Sequence, residues 1–439
     1  MRRWGIISAA PEEDPAAQPS SPGVAAAQRG TLREYVVDHV LHLIVLLAFG
    51  LYPFAYRVAV TTPVGDELAL ILPPTTAVIP VFYVGLFAMS FDFISGYTGY
   101  LSFGHAMFYG AGAYLVVMTA TDKLPLAAGT PFMALLVLAG LLGGALALFV
   151  GAISFRLRGV YFAMITLGFA EIGRVFVRNW RRVSTNPRNG AAVASAEGFA
   201  VGLPGIDALN VRIGRLVGDS YESLFGLGIE LSTAEVSYYA VGAVVLICYL
   251  ALKRITHSPF GSVMIIIREN EERAKAIGYN TYRYKLGAFA VSGFFASVAG
   301  GLFAGYQRSV APENSLTLFV TADALLAAVI GGFGTLAGSL YGHLFHVSLK
   351  EILTTDENGL AFYLRDTLPE GVLMADVAGV TVRDVVDVLL AGRAELYIGL
   401  VFVAFVLLIP EGLLGALRDR LGSTVSKWVG EKLDSYLRE

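Results

Sequence analysis

Apolar residues in this chain fall in long unbroken blocks, near 36–58, 76–95, 131–154, 159–178, 235–252, 286–306 and 395–410. A helix needs roughly 20 apolar residues to cross about 30 Å of hydrocarbon, and each block approaches that length. Three further stretches, 106–121, 318–331 and 337–353, are shorter or broken by glycine and read as crossings supported by neighbouring helices. The pattern predicts an all-α polytopic membrane protein with about ten transmembrane helices, some of them broken or short.

The polar intervals give these crossings a direction. Between two apolar blocks, residues 253–285 carry seven Lys or Arg against three Glu, a bias that places this loop in the cytoplasm. Threading outward from it puts Arg156 and Arg158 on the same side, together with Arg29, Arg33 and the tail bearing Arg418, Arg420, Lys427 and Lys432. Both termini are then cytoplasmic: residues 1–35 and 414–439 form tails around a transmembrane domain at 36–413. Two long inserts, 179–234 and 354–394, fall outside the cell. The first carries Arg181, Arg182, Arg188, Arg212 and Arg215, which run against the charge bias, and the second is acidic. Together they suit an outer cap or a docking surface; plain solvent-facing loops are the alternative. Within the cytoplasmic loop, Glu271 to Ala276 has helix-forming composition, and Gly278 follows as a left-handed helix stop.

Composition agrees with this picture and removes several function classes. Hydrophobic residues make up 55% of the chain and charged residues 15%, with a mean hydropathy of +0.64; soluble domains carry about 25% charged residues. The net charge of −3 is spread over predicted membrane flanks, so no nucleic-acid partner is expected. A single cysteine, Cys248, builds neither a disulfide framework nor a metal cluster. No Gly-x-x-x-x-Gly-Lys-Ser/Thr phosphate loop occurs, and no catalytic or metal-ligating constellation is apparent.

One apolar stretch is interrupted in an informative way. From Gly96 to Tyr114 the chain mixes glycine, hydroxyl and aromatic residues, including Tyr97, Gly99, Ser102, Gly104 and His105. Irregular backbone at membrane depth persists only where protein or a water-filled cavity satisfies it, so these residues are candidates for a translocation path or gate. The later glycine ladders, Gly140 with Gly144, Gly301 with Gly305, and Gly334 with Gly338 and Gly342, suit close helix packing instead. Intramembrane ionisable groups are functional candidates by default. Here they are Asp92, the i,i+3 pair Glu171 and Arg174, and Asp323.

Four stretches in order, joined by a fifth at the end, give a resemblance. Gly96-Tyr97-x-Gly99-x-Leu101-Ser102-x-Gly104-His105-Ala106, Arg156-Leu157-Arg158-Gly159-Val160-Tyr161-Phe162, Arg268-Glu269-Asn270-x-Glu272-Arg273-Ala274 with Gly278-Tyr279-Asn280, Ile330-Gly331-Gly332-x-Gly334-Thr335, and Pro410-x-Gly412-Leu413 resemble the LivM-type permeases of branched-chain amino acid ABC importers. That resemblance implies a coupling loop that docks on an ATPase, carried by Arg268, Glu269, Glu272, Arg273, Ala274, Gly278, Tyr279 and Asn280. It adds Tyr161 and Thr166 to the candidate path. It also implies a LivH-type partner permease, two ATPase subunits holding ATP and magnesium, and an extracytoplasmic substrate-binding protein, assembled at the plasma membrane of a prokaryote. The chain itself is then expected to bind no cofactor. Related permeases handle urea, short amides or aromatic acids. An ion-coupled secondary transporter with broken helices is the reading from a different class.

Overall fold

The computed structural model describes residues 47–61, 72–126, 130–193, 199–203, 206–213, 232–353, 367–369, 376–377, 380–381, 394–408 and 412–413. The proposed tails 1–35 and 414–439 and most of the insert 354–394 lie outside these residues. Residues 50–418 form one compact unit; the remainder of the chain, taken separately, contributes only helical residues 47–49.

The helices are α1 (Leu47–Val60), α2 (Thr75–Thr98), α3 (Ala106–Ala120), α4 (Phe132–Ser154), α5 (Val160–Asn179), α6 (Thr233–Thr256), α7 (Pro259–Glu269), α8 (Glu271–Ala276), α9 (Thr281–Gln307), α10 (Pro312–Ser315), α11 (Leu318–Gly331), α12 (Leu336–Leu353) and α13 (Ala394–Leu408). Six helical segments among the described residues are long and apolar enough to cross a membrane, α2, α4, α5, α6, α9 and the run from α10 through α11. Three shorter apolar helices, Leu47–Val60, Ala106–Ala120 and Leu396–Phe405, accompany them.

Helix ends follow local chemistry. Ser232 and Glu235 form a reciprocal capping box at the start of α6, and Ser258 caps α7 ahead of Pro259. Asn270 caps α8 by accepting a hydrogen bond from the Arg273 amide at 2.9 Å.

Helix α9 is the centre of the bundle and packs most extensively on α4, α3 and α2. Glycine makes this possible: a Cβ on Gly112 of α3 would overlap the Ser297 carbonyl, and one on Gly300 would overlap that of Tyr109. Gly140 and Gly144 of α4, and Gly301 and Gly305 of α9, lie in the α4–α9 seam against Phe294, Ala290, Leu136 and Phe132. Gly338 and Gly342 of α12 press on Gly331 and Ala327 of α11 in the same manner. The expected packing role of the ladders is met except at Gly334, which lies in the turn before α12 with φ +81°.

Strands are short. β1 (Ala191–Ala192) pairs antiparallel with β4 (Ser309–Val310), which directly follows α9. β2 (Phe199–Leu203) and β3 (Ile206–Ile213) form a hairpin, as do β5 (Asp376–Val377) and β6 (Val380–Thr381). Since α9 starts beside α8 and ends at β4, the described start of the 179–234 insert lies at the end of the bundle away from α8.

Candidate functional site

The segment between α2 and α3 organises the site. α2 ends in a left-handed cap at Gly99, φ +77°, beside the aliphatic stem of Arg268. Six residues later His105 lies back alongside Ser90, about 12 Å up α2 from its end. The chain therefore turns at the α8 end and climbs inside the bundle as non-helical backbone, and α3 begins part-way up. The Ala106 amide donates to Thr321 Oγ1 of α11 at 3.0 Å, which satisfies one orphan donor of the new helix. Gly104 passes so close to α5 that a Cβ would overlap the Thr166 carbonyl.

His105 is fully buried. Its Nε2 lies 3.2 Å from Ser90 Oγ and 3.3 Å from Ser292 Oγ, while Ser292 Oγ donates to the Ser90 carbonyl at 2.5 Å. Phe87, Phe91, Phe108 and Phe289 surround the ring. From Phe289 the aromatic contacts continue through Phe162 and Phe155 to Tyr100, with Tyr100 and Phe155 centroids 5.3 Å apart.

At Tyr100 the bundle meets the loop that carries α8. Glu271, the first residue of α8, accepts a hydrogen bond from Tyr100 Oη at 2.8 Å and others from Lys285 Nζ at 2.9 Å and Thr281 Oγ1 at 3.1 Å. Lys285 also donates to Tyr100 Oη at 2.9 Å and sits 4.6 Å from the centre of the Tyr100 ring. Its side chain is only 3% exposed. Burial pushes the Glu271 carboxyl upward, but the hydrogen bonds from Lys285 and Tyr100 and the lysine charge outweigh it and hold the group at about 2. The Tyr100 phenol is pushed up by burial and by the neighbouring Glu271 carboxylate.

A second tie lies beside the first. Arg268 Nη1 donates to the Gly96 carbonyl at 2.6 Å. Asp92 Oδ1 accepts from the Gly334 amide at 2.8 Å, and Gly334 adopts φ +81° in the turn between α11 and α12. Gly96 has no room for a Cβ because Asp92 Oδ1 and the Gly334 backbone fill that space. The last turn of α2, the 332–335 turn and the end of α7 thus converge under one guanidinium. Gly412 of the closing motif packs on Gly332 with φ +75°.

Helix α8 presents two unlike faces. Ala274 is fully buried with Val263 and Ile267, and Ile266 and Tyr284 pack against that cluster. Glu269, Glu272, Arg273, Gly278, Tyr279 and Asn280 are exposed, with Ile277 62% exposed among them. Glu272 pairs with Lys275 at 3.3 Å and with Arg158 at 3.0 Å, and those cations hold its carboxyl low. Gly278, φ +94°, ends the helix in a Schellman arrangement: its amide bonds to the Lys275 carbonyl and the Tyr279 amide to that of Ala274.

The candidate path residues do not gather at one point. His105, Gly104, Ser102 and Thr166 lie inside the bundle, whereas Tyr97 and Gly99 lie at the α8 end near Arg268. Tyr161 is 70% exposed on α5. Glu171 and Arg174 do pair, with Arg174 Nε donating to Glu171 at 2.9 Å, and Arg174 reaches Glu313 at 3.0 Å. Asp323 is on an exposed face of α11. Sequence reading passed over Tyr100, Glu271 and Lys285 as site residues; a lysine opening an apolar block was the available signal.

Residues 75–360 match the family model described as branched-chain amino acid transport system / permease component. The chain belongs to this permease family. It is 29% identical over 279 residues to the high-affinity branched-chain amino acid transport system permease protein LivM of Escherichia coli K12, covering 63% of this chain and 62% of that protein. It is 29% identical over 269 residues to the LivM protein of Salmonella typhimurium LT2, covering 61% and 60%. A probable LivM protein of Methanocaldococcus jannaschii matches over 105 residues at 29% identity, 24% of this chain and 30% of that one. The chain spans about three fifths of the length of the first two relatives. No solved structure matches. Like the other members of this permease family, it is a multi-pass membrane protein, and the matched region takes in α2 through α12, including the Arg268 and Glu271 ties.

Proposed function

We propose that this chain is a membrane-spanning permease subunit of an ATP-driven importer for branched-chain or other hydrophobic amino acids. It forms the translocation path with a LivH-type partner, and separate ATPase subunits dock on the α8 end while an extracytoplasmic binding protein delivers substrate. The α8 end faces the cytoplasm, as do both termini. The observation that carries this reading is the construction of α8. Its outward face is open, and its inward face is joined to the bundle by Ala274, by Glu271 through Lys285 and Tyr100, and beside it by Arg268 on Gly96. A short helix so mounted passes displacement inward instead of absorbing it. Nucleotide state biases the bundle only through contacts that differ between states, and the Tyr100 and Gly96 contacts supply them. The ATPase subunits hold ATP and magnesium; the role of this chain is to move, not to hydrolyse.

The test is replacement of Glu272 and Gly278 by alanine in the assembled transporter. Membrane insertion and co-purification with the ATPases are expected to persist while substrate-stimulated ATP hydrolysis and uptake fall together. Normal uptake in that variant removes α8 from the mechanism.

A further inference from the structure

The bundle leaves several helix faces uncovered, and their chemistry divides them. The uncovered side of α4 shows Val137, Leu141 and Phe149, and that of α6 shows Ile247 and Leu250. Between Leu396 and Leu408, α13 presents only apolar residues. Hydrocarbon chains satisfy all three surfaces.

Helix α5 is different. Its uncovered face carries Tyr161, Met164, Gly168, Glu171 and Val175 at helical spacing, with Met164 62% exposed and the Glu171 side chain 53% exposed. Nothing lies within 4 Å of where a Cβ on Gly168 would be, so the middle of this face is a shallow open notch. The charge on it continues onto α10. Arg174 donates to Glu313 of α10 at 3.0 Å, and Arg178 lies 3.6 Å from the same carboxylate. Two carboxylates and two guanidinium groups therefore occupy one uncovered surface on helical segments apolar enough to cross a bilayer. Hydrocarbon offers such groups no hydrogen bonds, and ionisable residues in spanning helices face protein or a water-filled cavity.

We propose that the α5–α10 face is the surface on which a second membrane-spanning permease chain packs, with Glu171, Arg174 and Glu313 in a hydrated seam between the two chains. This inference rests on the permease reading above and adds to it the face that the partner occupies. The face extends from Tyr161, one helix start away from Arg158 and the docking loop, to Arg178 at the opposite end. A soluble ATPase or binding protein touches only one end of such a surface. Only a chain that itself crosses the membrane covers its length and supplies polar complements to charges along it.

The experiment is site-specific photo-crosslinking in native membranes, with p-benzoylphenylalanine placed singly at Met164, Val175 and Ile172, and at Leu141 and Ile247 as controls. Adducts are resolved by gel and identified by mass spectrometry. The expected result is a covalent adduct with a different permease polypeptide from the first three positions and only lipid adducts from the controls. Lipid adducts alone from Met164 and Val175, protein adducts of equal yield from the controls, or an adduct joining two copies of this chain would each overturn the proposal. Co-purification of ATPase subunits is scored in the same membranes. Their presence alongside lipid-only adducts sinks this inference and leaves the permease reading standing; their absence sinks the permease reading itself. A second variant, Glu171→Leu with Arg174→Leu, is expected to lower recovery of the second permease several-fold while leaving this chain in the membrane. Unchanged recovery removes the charged seam.

Discussion

The chain holds two ionic clusters built from the same kinds of group in opposite settings. At the α8 end, Glu271 meets Lys285, Tyr100 and Thr281, and the lysine is almost wholly buried. On the α5 face, Glu171, Arg174 and Glu313 are joined by hydrogen bonds of similar length, yet both carboxylates are more than half exposed. Geometry alone does not separate them; surroundings do. A buried pair that loses one partner leaves a charge without compensation, whereas an exposed pair exchanges its partner for water at little cost. The first cluster ties α8 to α9 and to the segment after α2, and the second is open to whatever lies against the face.

The largest expected effect lies in the buried cluster. Glu271→Ala strands the Lys285 ammonium and is expected to destabilise the protein by about 3–5 kcal/mol, read as a lowered thermal midpoint in detergent. Combining Glu271→Gln with Lys285→Met removes both charges and is expected to return most of that stability without returning coupling. If the single and double variants melted alike, the buried pair would not be the source of the difference. Smaller is the change from Arg268→Ala, which deletes the hydrogen bond to Gly96 and is expected to cost about 1–3 kcal/mol, with ATP hydrolysis becoming less dependent on substrate.

Acidification sharpens the contrast further. The Glu271 carboxyl is held down at about 2 against an ordinary value of 4.5. Its contribution to stability is therefore complete above pH 4.5 and is lost as pH falls from there towards about 2. The Glu271→Gln variant is expected to lack this part of the acid transition, measured by tryptophan fluorescence or calorimetry. The smallest effect belongs to the open cluster: Glu171→Gln is expected to change the stability of this chain by less than about 1 kcal/mol. A loss as large as that of Glu271→Ala would erase the distinction between the two regions.

Much of the architecture was legible because its signals are local. The apolar block at 131–154 declares α4 without reference to any other residue, and the glycine ladders announced close packing that α4 and α9 then make. Gly278 was readable as a helix stop since a left-handed residue after a helix-forming run favours glycine. The Glu171–Arg174 pair was equally readable, as spacing i,i+3 suffices. Glu313, the third member, lies 139 residues away in sequence from Arg174 and had no local mark. Lys285 looked like one more cytoplasmic flank charge. Only the folded chain shows α9 carrying it into the bundle, under Tyr100 and Phe155. The Gly96–His105 break was visible as irregular, but its path was not. That its two ends serve different neighbours, Arg268 below and the Ser90–Ser292 pair above, follows from tertiary contacts alone.

The late start of α3 and the early stop of α11 bear on how much of a membrane's depth continuous helix covers. At 1.5 Å per residue, these helices of 15 and 14 residues reach about 22 Å and 21 Å. A hydrocarbon layer measures about 30 Å. At their α8 ends lie the segments 99–105 and 332–335, where polar backbone stands in place of helix, and α10 extends α11 at its other end. Over that stretch the backbone is held by side chains of neighbouring turns, Ser95 Oγ on the Tyr100 carbonyl and Arg268 on the Gly96 carbonyl, and not by a continuous helical ladder.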